Sequence, residues 1–176
     1  MHEIVTSRLV LRPARSEDVG PMHRILSDAR AMRFWSTDPH PDLATTAEWL
    51  ATMIGRPGDT DFIIEFEGQA IGKAGAWQLP EVGFILAPDH WGKGLAHEAM
   101  AAIIVHLWAT TDASCLTADV DPDNDASIRL LKKLGFHETH RAEKTFFIGG
   151  RWVGSVYFAL ARPTPRPALA ATGPAQ

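Results

Sequence analysis

The segment DHWGKGLAHEA, residues 89–99, places two glycines and a lysine directly before an apolar, alanine-rich stretch that is typical of a helix. The first N–H groups of a helix have no partner within it, and together with the helix dipole they favour an anion such as phosphate. Gly92 and Gly94 would let the backbone approach that anion closely, and Lys93 adds a positive charge. The same glycines would also suit a tight strand-to-helix connection that binds nothing, so this segment alone leaves both interpretations open.

Two common phosphate-binding patterns do not describe this segment. The Walker pattern requires Ser or Thr after its Gly-Lys pair, but here Gly94 follows Lys93. The dinucleotide fingerprint requires a third glycine where this chain has His97. A plain nucleotide-binding fold is therefore disfavoured.

This segment must be positioned by the strands and helices around it. We predict that these elements form one domain over residues 1–162. Apolar and alternating runs predict strands, and capped apolar patterns predict helices. The remaining residues, 163–176, are rich in proline and alanine and poor in large apolar groups, so we expect a disordered tail. The predicted strands cover residues 6–12, 61–66, 69–77, 81–86, 116–120, 144–148 and 152–160, and the predicted helices cover residues 16–27, a short stretch from 45, 97–108 and 124–134.

Composition narrows the class of protein. The formal net charge is -4 with no basic stripe, so we expect no nucleic-acid partner. No apolar run approaches the length that spans a bilayer, and charges interrupt the N-terminal residues, so we expect a cytoplasmic protein without a membrane partner. Cys115 is the only cysteine and is expected to be a buried, inert thiol. Of the eight histidines, His97 and His106 lie more than two helical turns apart, too far to share an ion, and we expect no metal.

A second motif, VDPDNDASIRLLKKLGF at residues 120–136, reads as a strand end, a proline turn, an asparagine cap, a short helix and a glycine exit. With the glycine segment before it, the chain resembles the GNAT superfamily of acyl-CoA-dependent N-acetyltransferases. Four further features resemble the ribosomal-protein N-terminal acetyltransferase-like branch of that superfamily. They are the tryptophan that opens WGKGLAHEA, the run EVGF at 81–84, the run NDAS at 124–127 and the run TSRLVLRP at 6–13.

The resemblance implies an α/β (α+β) fold with a mixed, mostly antiparallel central sheet flanked by helices, and acetyl-CoA as cosubstrate. It implies that the glycine segment binds the pyrophosphate, that an edge of the strand at 81–86 pairs with the pantetheine amides, and, by analogy, that the chain forms a homodimer. The residues expected to bind acetyl-CoA are Phe84, Ile85, Leu86, Trp91, Gly92, Lys93, Gly94, Leu95, Ala96, Asn124 and Ser127.

The resemblance also implies roles in catalysis. Glu81 is the expected base, acting through a water molecule, and Ser127 is the expected proton donor to the leaving thiolate. Many relatives have a tyrosine acid later in the same helix, but here that position is Leu131. Phe34 and Trp35 fall where the acceptor cleft is expected, whereas Trp49 and Trp77 in the same region are expected to belong to the core.

Two functions from different classes remain open. The first is an N-acetyltransferase acting on a primary amine, either a small molecule or a protein N-terminus. The second is a non-catalytic acyl-CoA-binding module, which the missing tyrosine makes conceivable. Glu81 could also be a solvated strand-end residue, and Ser127 an ordinary residue of a helical first turn.

Overall fold

The computed structural model of the protein describes residues 3–56 and 58–164. Within these residues, eight strands form one sheet and four α-helices pack around it. The helices are α1 (Val19–Leu26), α2 (Leu43–Ala51), α3 (Leu95–Thr110) and α4 (Asp125–Lys133). The strands are β1 (Ile4–Val5), β2 (Leu9–Arg12), β3 (Asp61–Phe66), β4 (Gln69–Gln78), β5 (Glu81–Leu86), β6 (Cys115–Val120), β7 (His137–Ile148) and β8 (Arg151–Ala161).

The sheet has the order β1-β2-β3-β4-β5-β6-β8-β7, and every pairing except one is antiparallel. The exception is β5 with β6, which run parallel and pair at Glu81 and Thr117. No further register pair joins these two strands among the described residues, so the sheet opens beyond this point. The prediction of a mixed, mostly antiparallel sheet flanked by helices is confirmed.

Apolar side chains fill both faces of the sheet. Successive residues of a strand point to opposite faces, and in β3 Phe62 and Ile64 belong to the larger core while Ile63 belongs to the smaller one. The larger core is formed with α3, and the smaller one is formed with α1 and α2. The almost wholly apolar surface of α3 is explained by this burial.

Several element boundaries differ from the sequence prediction for local physical reasons. Helix α2 begins at Leu43 rather than 45, because the Asp42 carboxylate accepts the Thr45 N–H at 2.8 Å and caps the helix. Strand β2 begins at Leu9 because the Thr6 N–H donates to the Leu9 carbonyl at 2.9 Å and turns the chain there.

Two predictions at the other end of the sheet are corrected. Strand β7 begins at His137, seven residues before its predicted start, since it is an outer strand with few buried side chains and therefore lacks an apolar signal. Trp77 is 48% exposed rather than part of the core, and the Arg56 guanidinium lies 3.9 Å from its ring centre. Trp49 does pack against the smaller core.

Helices in the described residues are too short or too polar to cross a bilayer. The predicted tail includes residues 165–176, which lie outside the described residues. Cys115 begins β6 as a free, partly buried thiol.

Candidate active site

A cavity of about 470 Å³ begins where β5 and β6 separate and extends to the start of α3. One wall is the strand segment 82–86, and the opposite wall is the segment 118–121, at the end of β6, with the first turns of α4. The opening in the sheet therefore creates the cavity, since two fully paired strands would leave no space between them. The predicted site residues that line it are Phe34, Trp35, Phe84, Ile85, Leu86, Trp91, Gly92, Gly94, Leu95, Ala96, Asn124 and Ser127.

The glycine turn, residues 91–96, closes one end of the cavity. Gly92 and Gly94 adopt φ values of 71° and 76°, in the left-handed region that favours glycine. Gly94 is also the N-cap of α3 and has no side chain to satisfy the helix N–H groups. These groups are consequently left for a ligand, at the positive end of a 16-residue helix.

Trp91 joins this turn to the end of β5. Its indole Nε1 donates a hydrogen bond to the Leu86 carbonyl at 2.9 Å, although the residue is 51% exposed. The tryptophan that opens the glycine turn thus fixes the turn to the end of β5.

The start of α4 brings two predicted residues to the opposite wall. The Asn124 side-chain oxygen accepts the Ser127 N–H at 3.1 Å, which makes Asn124 the N-cap of α4. Both side chains line the cavity. The structural role of Asn124 as a cap is confirmed, and its contact with a coenzyme stays a prediction.

The aromatic residues Phe34 and Trp35 line the cavity from the segment that follows α1. Trp35 packs against the smaller core, and the Arg33 guanidinium lies 4.9 Å from the centre of the Phe34 ring. They belong to the side of the sheet covered by α1 and α2, away from α3.

Two predicted residues, Glu81 and Lys93, are not among the described residues that line the cavity. Lys93 is exposed on the glycine turn. Burial, together with the nearby negative charge of Asp119, raises the pKa of Glu81 above its ordinary value. A carboxyl group with a raised pKa beside a cavity is a candidate for proton transfer.

Asp119 lines the cavity and was missed by the sequence prediction. Burial raises its pKa, while a hydrogen bond from the Ser155 hydroxyl and the nearby His140 act in the opposite direction. Strand alternation places Asp119 and Glu81 on the sheet face of Ile85, which belongs to the smaller core. The one signal in the sequence was an acidic residue within β6, whose other residues are uncharged.

The described residues contain no group of three or more His, Cys, Asp or Glu side chains placed to hold a metal ion. His90 and His97 both line the cavity.

The sheet that opens between β5 and β6, the cavity and the glycine turn agree with the resemblance to acyl-CoA-dependent N-acetyltransferases that the sequence motifs indicated. A family model described as an acetyltransferase (GNAT) domain matches residues 8–137, well over half of the chain. The protein belongs to the GNAT acetyltransferase family, as the sequence motifs predicted.

Individual relatives support this placement. Spermidine N(1)-acetyltransferase of Escherichia coli K12 is 26% identical over 159 residues, which cover 85% of this chain and 84% of the relative. A GNAT-family acetyltransferase from Bacillus anthracis has a TM-score of 0.80 at 21% identity, covering 91% of this chain and 98% of that one. RimL, a ribosomal L7/L12 alpha-N-protein acetyltransferase solved with coenzyme A, has a TM-score of 0.77 at 16% identity with the same coverage. The two solved structures show that the fold is shared.

Proposed function

We propose that the protein transfers the acetyl group of acetyl-CoA to a primary amine. The observation that carries this proposal is the continuous cavity that joins the opening between β5 and β6 to the left-handed glycine turn. An extended ligand with an anion at one end fits such a cavity, and acetyl-CoA carries its pyrophosphate and its thioester at opposite ends of the pantetheine arm.

The backbone supplies most of the proposed coenzyme site. The edge of β5 that faces β6 has no register partner beyond Glu81 among the described residues, so the segment Phe84 to Leu86 can pair with the pantetheine amides, apart from the Leu86 carbonyl, which already accepts the Trp91 indole. The N–H groups at Gly92 and Gly94 and the start of α3 bind the pyrophosphate. Lys93 contributes a positive charge from its exposed position, and Asn124 contacts the arm from the opposite wall.

The proposed reaction needs an amine with a free lone pair near the thioester carbonyl, which acetyl-CoA supplies. Glu81 takes a proton from the acceptor through a water molecule, the N–C bond forms and the C–S bond breaks. The Ser127 hydroxyl, or a water, donates a proton to the departing thiolate. An acceptor that enters as an ammonium ion loses two protons in all. One goes to solvent by way of Glu81, and the other replaces the proton that the Ser127 hydroxyl, or the water, gives to the thiolate.

Asp119 adds a second carboxylate on the face where the acceptor enters. Asp119 assists Glu81, because its negative charge raises the pKa of Glu81 and makes that carboxyl group better suited to proton transfer near neutral pH. Two carboxylates at this position also favour an acceptor that approaches as a cation, beside the aromatic surface of Phe34 and Trp35. Both an aliphatic amine and a protein N-terminus meet that description.

Two observations favour the alternative of a non-catalytic coenzyme-binding module. Glu81 does not line the cavity among the described residues, and the apolar Leu131 lies where a tyrosine acid would be expected. Under this alternative the chain binds coenzyme A but transfers nothing.

Thiol release from acetyl-CoA, followed with a panel of polyamines, amino acids and N-terminal peptides, separates the two functions. The expected result is turnover with one class of amine and a loss of kcat in Glu81→Gln, while the exposed Glu48→Gln in α2 serves as the matched control and keeps full activity. Coenzyme A binding by calorimetry without turnover on any amine would establish the binding module instead.

A further inference from the structure

Two of the sequence motifs, which lie about 90 residues apart in the chain, meet in the structure. The Glu98 carboxylate, in the first turn of α3, accepts hydrogen bonds from the Thr6 hydroxyl at 2.6 Å and the Ser7 hydroxyl at 2.9 Å. It also accepts the Arg8 backbone N–H at 2.9 Å and the Arg8 Nε at 2.7 Å. Although burial alone raises the pKa of Glu98, these hydrogen bonds together outweigh it and hold the pKa at about 2. The anchored segment, residues 6–8, is thereby fixed to the start of α3.

Arg8 extends this connection to the glycine turn. While its Nε is bound to Glu98, its Nη1 donates to the Lys93 carbonyl at 2.9 Å. Its Nη2 lies 3.6 Å from the position that a Cβ on Gly94 would occupy, so the guanidinium packs against the turn. Arg8 is not among the described residues that line the cavity.

The direction of one peptide group follows from this contact. A trans peptide is planar, and its C=O and N–H point to opposite sides. Since the Lys93 carbonyl is drawn toward Arg8, the Gly94 N–H of the same peptide points away from Arg8. Gly94 lines the cavity and Arg8 does not, so we infer that the cavity, where the coenzyme is proposed to bind, lies on the side away from Arg8.

We propose that Arg8, held in place by Glu98, is a positioning residue that orients the Gly94 N–H toward the coenzyme pyrophosphate. The inference rests on the proposed function, because it requires the pyrophosphate to lie on the glycine turn. Arg8 contacts the turn from behind and touches no part of the coenzyme.

If Arg8 only stabilised the fold, its loss would change stability and coenzyme affinity in a different proportion. The Arg8 side chain is 44% exposed, so solvent screens its ion pair with the less exposed Glu98 and limits what the pair contributes to folding. A hydrogen bond from an oriented N–H to a charged phosphate contributes much more to binding, so loss of its orientation is expected to weaken pyrophosphate binding roughly 10- to 100-fold. Stability and coenzyme affinity should therefore respond to different extents.

The test compares two probes, coenzyme A and pantetheine, of which only the first carries the pyrophosphate. In Arg8→Ala we expect the Kd for coenzyme A to rise roughly 10- to 100-fold while inhibition by pantetheine stays unchanged. Arg8→Lys keeps the charge for Glu98 but lacks the second arm that reaches Lys93, so the same selective loss is expected. Arg15→Ala, which removes an exposed pair with Glu3 on the same N-terminal segment, is the matched control and keeps the wild-type affinity.

Thermal unfolding checks that each variant is folded before it is titrated with coenzyme A. If Arg8→Ala does not fold, the test is made with Arg8→Lys. Equal losses for coenzyme A and pantetheine, or a coenzyme A affinity within about twofold of the wild type in both folded Arg8 variants, would overturn the inference. If the wild type itself binds no coenzyme A, the proposed function fails, and that outcome is distinct from either of these.

Discussion

Replacing Gly94 by alanine tests whether the left-handed turn is required. The added Cβ has room, because its nearest neighbour is the Arg8 Nη2 at 3.6 Å, an ordinary contact distance. The backbone, however, holds φ at 76°, where a residue with a Cβ is strained by roughly 1–2 kcal/mol. Strain in the turn, and not a steric clash, should thus account for the whole effect.

Gly20→Ala is the matched control for this strain. Gly20 lies in α1, has no positive φ and has no atom within 4 Å of the added Cβ. Alanine is favoured over glycine within a helix by about 0.5–1 kcal/mol, so this variant should be the more stable one. Both variants change the unfolded chain in the same way, and the difference between them isolates the strain at Gly94.

The assay is urea unfolding at neutral pH, with and without saturating coenzyme A. We expect Gly94→Ala to be less stable than Gly20→Ala by at least about 1–2 kcal/mol. If the free turn relaxes to avoid the strain, the same free energy appears as a coenzyme affinity lowered by about 5- to 30-fold. A Gly94→Ala variant that gains as much stability as Gly20→Ala and also binds coenzyme A like the wild type would show that the left-handed conformation at position 94 is not required.

Three further predictions concern charge and packing around the site. Glu98 has a folded pKa of about 2 against an ordinary value of 4.5, so its stabilisation is fully present above pH 4.5 and is lost as the pH falls through about 2. The free energy of unfolding of Glu98→Gln should therefore be lower than that of the wild type at pH 7 and approach it only as the pH reaches about 2, and a difference that stays constant with pH contradicts this. Asp119→Asn should lower the pKa of Glu81 and move the acid limb of the kcat/KM profile to lower pH. An acid limb that does not move would show that Asp119 does not act on the pKa of Glu81. In Gly72→Ala the new Cβ would lie 2.2 Å from the Ile85 carbonyl oxygen, so the cavity wall must shift. Both the free energy of unfolding and the affinity for coenzyme A should therefore fall. Retention of either at the wild-type value would show that β5 can move without cost.

Features with a local physical cause could be predicted from the sequence. The glycine turn was predicted because Gly92 and Gly94 precede an apolar helix, and the left-handed backbone at both positions explains why glycine is needed. Asn124 was predicted to cap a helix, and its side chain does accept the Ser127 N–H. Short-range hydrogen-bonding patterns of this kind are visible in the order of residues alone.

Features that depend on how distant strands meet could not be predicted in this way. Asp119 gains its importance from the separation of β5 and β6, and nothing in its own neighbourhood signals that separation. Arg8 and Glu98 were both quoted as parts of motifs, but their contact joins two ends of the fold and has no local signature. Trp77 was assigned to the core by its size, and the sequence does not show that a guanidinium covers its ring on an exposed surface.

A crystal structure of the protein with coenzyme A tests the central claim most directly. We predict pyrophosphate oxygens about 2.7–3.1 Å from the backbone N–H groups of the glycine turn, the Gly94 N–H among them, with the pantetheine arm between β5 and β6. Coenzyme A bound elsewhere on the molecule, or bound with the Gly94 N–H directed away from the phosphates, would contradict it.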